Sequence, residues 1–105
     1  MVKVHVSKDN DGEDIGVRVS CSSQSVIADM EGIPTFRHVR SRSQWECFIE
    51  AAPVPMMWLV QSLYSDREKF NADVVFDDDA KSLMIEKSNM IPIPSITARD
   101  GRVLV

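Results

Sequence analysis

Val2, Val4 and Val6 alternate with Lys3, His5 and Ser7, and beyond the polar stretch Asp9–Asp14 the alternation returns, with Val17, Val19 and Cys21 set against Arg18 and Ser20. A period of two sends one set of side chains to a core and the other to water, which is the signature of a half-buried strand. Two such runs flanking Asp11-Gly12, where glycine supplies a positive φ, predict an antiparallel hairpin with a long acidic turn. Any fold open to this chain has to cover the valine face.

The next segments are shorter signals. Ser22 or Ser23 caps a short helix carrying Val26, Ile27 and Met30, stopped by Gly32 and Pro34. Thr35–Ser41 reads as extended, with Phe36, His38 and Arg40 on one face and Arg37 and Val39 on the other. Ser43 and Glu46 have the spacing of a capping box, which predicts a helix bearing Trp45, Phe48, Ile49 and Ala52 and ending near Pro53. Pro55 opens a second and longest helix, apolar on nearly all sides from Met56 to Val60, then amphipathic through Leu63, Tyr64 and Phe70, with Asn71 just past its end.

Val74–Phe76 and Leu83–Ile85, separated by Asp77–Lys81, predict a second hairpin. Ile91-Pro-Ile-Pro suits an edge or crossover because its prolines lack donors, and Arg99–Arg102 turns the chain into Val103–Val105. The expected architecture is α+β: an antiparallel sheet from N- and C-terminal hairpins with two central helices packed on one face. With 105 residues and no linker-like stretch, residues 1–105 are expected to form a single globular domain.

Twelve Lys and Arg against sixteen Asp and Glu leave a net charge of −4, which argues against a diffuse polybasic binder of nucleic acid or acidic lipid. There is no apolar run long enough for a membrane span, and the start Met-Val-Lys-Val-His-Val lacks the apolar region of a signal peptide, so the expected location is cytoplasmic and no membrane is expected as a partner. In that compartment Cys21 and Cys47 are expected to be reduced and buried.

Chemistry-bearing patterns are sparse. His5, Cys21, His38 and Cys47 lack the short spacings of a zinc site, and no local motif marks a Cys-His nucleophile. Asp9, Asp11 and Glu13 begin like a calcium loop, but Ser20 occupies its closing position; a loop starting at Asp77 closes on Ser88. The dispersed glycines form no phosphate loop. No catalytic, metal or cofactor-binding residue is assigned, and no cofactor is expected.

Two features remain as binding candidates. Arg37, His38, Arg40 and Arg42 form a basic strip with no acid from Gly32 through Gln44, suited to an acidic protein groove or to phosphates. Met57 and Trp58 lie in a stretch too apolar for a one-sided stripe, so either the helix is buried on most of its circumference or part of it enters an interface, with Trp58 the partly accessible anchor. The preferred expectation is a small intracellular accessory or regulatory protein, an inhibitor or assembly subunit, acting by contact with a protein partner or as a homo-oligomer. The alternatives are a nucleic-acid or phosphate-binding module using the Arg37–Arg42 strip, and a small enzyme whose site is not visible as a local motif.

Overall fold

The computed structural model describes residues 2–41 and 43–88. The predicted first hairpin is present: β1 (Val2–Asp11) and β2 (Asp14–Cys21) pair antiparallel, Val6 opposite Val19, around Gly12 at φ +64°. Then follow α1 (Gln24–Asp29), β3 (Arg37–Val39), β4 (Trp45–Glu50), α2 (Pro53–Lys69), β5 (Ala72–Phe76) and α3 (Asp78–Ser88). The five strands make one sheet in the order β3-β4-β2-β1-β5.

The sheet is mixed. Its pairs are antiparallel except the last, where β5 runs parallel to β1 with Val4 opposite Val74. The expected wholly antiparallel sheet is therefore corrected by the crossover through α2. That helix carries the chain from β4 past β2 and β1 to the far edge, three strand spacings or about 14 Å, which a helix of this length, about 25 Å, spans with ease.

Two predicted elements change type. The segment read as a capped helix from Ser43 is the strand β4, because its apolar residues serve two faces. Cys47 and Ile49 join the helix-covered core, whereas Phe48 is buried on the opposite face. A strand apolar on both sides lacks alternation and is easily mistaken for a helix. Glu46, read as the reciprocal cap, instead accepts the Ser20 hydroxyl at 2.9 Å, and Pro53 opens α2 rather than ending a helix before it.

The second predicted hairpin is replaced by β5 and α3. Ala80, Leu83 and Met84 are buried at helical spacing. Asp78 and Asp79, read as a turn, lie in the first turn of α3, where the helix dipole favours negative charge. Asn71 ends α2 as expected, at φ +56°. Ile91–Pro94, Arg99–Arg102 and Val103–Val105 lie outside the described residues.

All three helices among the described residues cover one face. Val26, Ile27 and Met30 of α1 and its end, Met56, Leu59 and Leu63 of α2, and Ala80 and Met84 of α3 close on Val4, Val6, Val17, Val19, Cys47, Ile49 and Val74. The other face is held by polar pairs around one ring: Phe48 has Arg18 and Arg37 as its register partners, and the Arg37 guanidinium lies 5.6 Å from its centroid. Gly16 makes room for that ring. A Cβ at Gly16 would meet Phe48 Cζ at 2.6 Å and collide with the Ile49 carbonyl oxygen. Gly16→Ala is therefore expected to destabilise the fold by about 1–3 kcal/mol, measured by urea unfolding, with no change in the sign of the far-ultraviolet spectrum.

Candidate functional site

The basic strip is divided by the strand that carries it. β3 sends Arg37 to the open face and His38 to the other, so neighbours in sequence do not share a surface. Its acid-free surroundings in sequence are acidic in space. Arg37 donates to Asp11 at 2.6 Å and to Asp14 at 2.8 Å, both from the β1–β2 turn, and these bonds raise its pKa further. His38 lies 3.5 Å from Glu31 and meets Phe36 edge to face. Arg40 is exposed and has no carboxylate partner among the described residues. Arg42 lies outside the described residues.

His38 and Arg40 border an open groove of about 840 Å³ at the β3 edge, with Ser22, Ser41, Ser43 and Trp45 among its walls. Trp45 was expected in the core. It is 47% exposed because it begins β4 beside the short edge strand, beyond the cover of the helices. The groove is thus lined by an aromatic ring, Trp45, by the cation of Arg40 and by the carboxylate of Glu46, a set that offers a stacking surface and charge of both signs.

The second surface is the outer side of α2. The helix packs Met56, Leu59 and Leu63 inward, yet Val54 is 53%, Trp58 49% and Tyr64 41% exposed. Met57 is half-buried beside them. The accessibility expected for Trp58 is thus met. The reason is geometric: at 100° per residue Val54, Met57, Trp58, Gln61 and Tyr64 fall within one arc opposite the inward residues. The helix has two apolar faces, which is why it reads as apolar all round. Val54, Gln61 and Tyr64 were not singled out from sequence, although together with Met57 they follow one another at intervals of three, four and three.

Neither histidine approaches a cysteine through a described contact: His5 bonds Asp77 at 2.8 Å, and His38 faces Glu31. Cys21 and Cys47 are buried free thiols. Burial pushes the Cys47 thiol up to about 12 and raises that of Cys21. Among the described residues no three His, Cys, Asp or Glu side chains are grouped to hold a metal, and no helix is long and apolar enough to cross a membrane.

One buried acid stands apart from both surfaces. Asp66, on the inner side of α2, is fully buried, and neither of its oxygens accepts a hydrogen bond from a described donor. It faces Asp29, which takes Lys69 Nζ at 3.3 Å, and lies near Cys21. Burial, reinforced by Asp29, pushes its pKa up to about 8. At neutral pH it is chiefly the neutral acid, with its own proton as the donor the pair requires.

The chain matches no protein-family model, no curated protein and no solved structure.

Raising a carboxyl pKa on folding makes the unfolded chain the first to lose its proton, so the contribution of Asp66 falls as pH rises from about 4 to about 8 and levels off above. The slope is bounded by about 1.4 kcal/mol per pH unit. Asp66→Asn is expected to flatten this part of the profile, gaining on the wild type at pH 8 relative to pH 5 in urea titrations. Parallel profiles for the two proteins would refute the assignment.

Proposed function

We propose that the protein acts by contact with another protein chain, as an accessory or regulatory subunit, through the outer face of α2. The observation that carries this reading is the pair of apolar faces on one helix: one builds the core, and the other leaves Val54, Met57, Trp58 and Tyr64 toward solvent. Ordinary surface helices keep that side polar, and a contiguous exposed apolar patch marks an interaction site. Tryptophan and tyrosine are the residues that most often dominate such contacts. The absence of charge from Pro53 through Ser65 removes the desolvation cost that would oppose docking.

Trp58→Glu tests this without touching the inner face. In the native cells the wild-type chain is expected to elute with an assembly larger than one copy and Trp58→Glu as a single copy with an unchanged thermal transition. Truncation to Ala should weaken the contact by about 2 kcal/mol or more. Identical elution of wild type and Trp58→Glu would refute the reading.

A second reading is favoured by the groove, which half-exposed Trp45 and exposed Arg40 both line. There the ligand is a single-stranded nucleic acid or another aromatic phosphate, with the base against Trp45 and the phosphate at Arg40. Titrating single-stranded oligonucleotide into a Trp58→Phe background should quench Trp45, less so as salt rises and much less in Arg40→Gln. No quenching at low salt would remove this reading.

A further inference from the structure

We propose that the contact between Asp29 and Asp66 is a proton-operated latch that seats α1 on α2, and that loss of its proton releases α1 and uncovers the Cys21 thiol. The latch lies on the inner side of α2, apart from the groove and the outer stripe. α1 is the part built to move. It has six residues (Gln24–Asp29), its N-cap Ser23 makes no side-chain hydrogen bond, and it has no acidic residue in its first turn and no basic one in its last. So short a helix does not hold its shape alone in water and depends on what it is docked against. β2 ends at Cys21 and β3 begins at Arg37, so α1 can lift without breaking a strand pairing.

The docking has an apolar part, Val26, Ile27 and Met30, and a polar part at the end of the helix. Asp29 takes Lys69 Nζ at 3.3 Å on both carboxylate oxygens and faces Asp66. Asp66 is fully buried and no described donor reaches either of its oxygens, so its own proton is what joins it to Asp29. Once that proton leaves, two carboxylates face each other, one of them shut off from water, while Lys69 is already engaged by Asp29. The new charge also stands against the negative C-terminal end of α1. Undocking α1 relieves each of these costs, because it takes Asp29 away and lets water reach Asp66.

The other titratable neighbours do not stand in for Asp66. The Cys21 thiol at the end of β2 is raised chiefly by burial and further by Asp66 itself. β4, β5 and α3 send Cys47, Ile49, Ala72, Val74, Ala80 and Met84 into the same core, and of these only Cys47 titrates, pushed up to about 12. Arg67, next to Asp66 in the chain, lies 4.7 Å from the centroid of the Tyr64 ring and pairs with Glu68. Cys21 reports the release: it is 1% exposed, and its Sγ accepts the backbone N–H of Ser23, the residue that opens α1, at 3.3 Å.

The test alkylates the full purified chain with iodoacetamide and follows Cys21 by peptide mass. Its rate, divided by that of the same thiol in the urea-unfolded chain at each pH, gives the opening constant. The seated state holds the proton and the released state loses it, so this constant should rise about tenfold per pH unit, about a hundredfold from pH 5 to pH 7, and level off above about pH 8. It should exceed the global unfolding constant and depend weakly on low urea, since lifting six residues exposes little surface. Asp66→Asn should keep the opening but lose its pH dependence. In Asp29→Asn, at a side chain already 34% exposed, the facing charge is gone and an amide donor replaces it, so the rise should stop at a lower pH. Cys21 labelling that follows the global unfolding constant and its urea dependence overturns the latch, as does a rise in Asp66→Asn as steep as that of the wild type. Should Asp66→Asn fail to fold, an Asp29→Asn profile equal to that of the wild type overturns it alone.

Discussion

Every other strand takes its position from the ladder between β1 and β2. β2 sets the register of β4, and β4 that of β3, while β1 sets the register of β5 on the other side. A slip of one residue in that central pair would turn Val4, Val6, Val17 and Val19 from the core to the open face. The acidic turn that joins the pair has a second task. Asp11 and Asp14 hold Arg37 over the Phe48 ring, so the same loop that fixes the register also closes the face the helices leave bare.

The parts legible in the sequence were those whose pattern is local. The valine alternation of the hairpin, the short α1 with Val26, Ile27 and Met30, the long α2 and its Asn71 stop each follow from spacing and end signals. β4 was not legible because its two apolar sides are served by different partners, the helices for Cys47 and Ile49 and a cation with a glycine for Phe48. α3 was obscured by an acidic run that suits a turn and a helix start equally well. The candidate surfaces were legible in part. Trp58 and Met57 could be singled out because no narrow stripe accommodates their neighbours, but the basic strip looked unopposed because its acids arrive from the distant β1–β2 turn and from Glu31.

Polar groups divide sharply by the face they occupy. On the open face arginines and carboxylates are partly hydrated, and solvent screening leaves each such pair a modest contribution. Their joint effect is geometric, since Arg37 and Arg18 flank Phe48 in place of a second layer of helices. On the covered face water is excluded and the rule reverses: Asp66 is tolerated chiefly as the neutral acid. α2 thus meets three environments along its circumference, an apolar core, a buried carboxyl contact with α1 and an apolar outer stripe.

The parallel pairing of β5 with β1 joins residues from opposite ends of the described chain, Val2 with Ala72 and Val6 with Phe76. Contacts of such long separation form late, after the loop-closure entropy of everything between them has been met. During synthesis the hairpin of β1 and β2 is complete long before Phe76 leaves the ribosome. Until then β1 presents an unpaired strand edge, the kind that recruits foreign strands. Lys3, His5 and Lys8 along that edge set charge or polarity beside Val4 and Val6, which discourages strand addition by another chain while the proper neighbour is still being made.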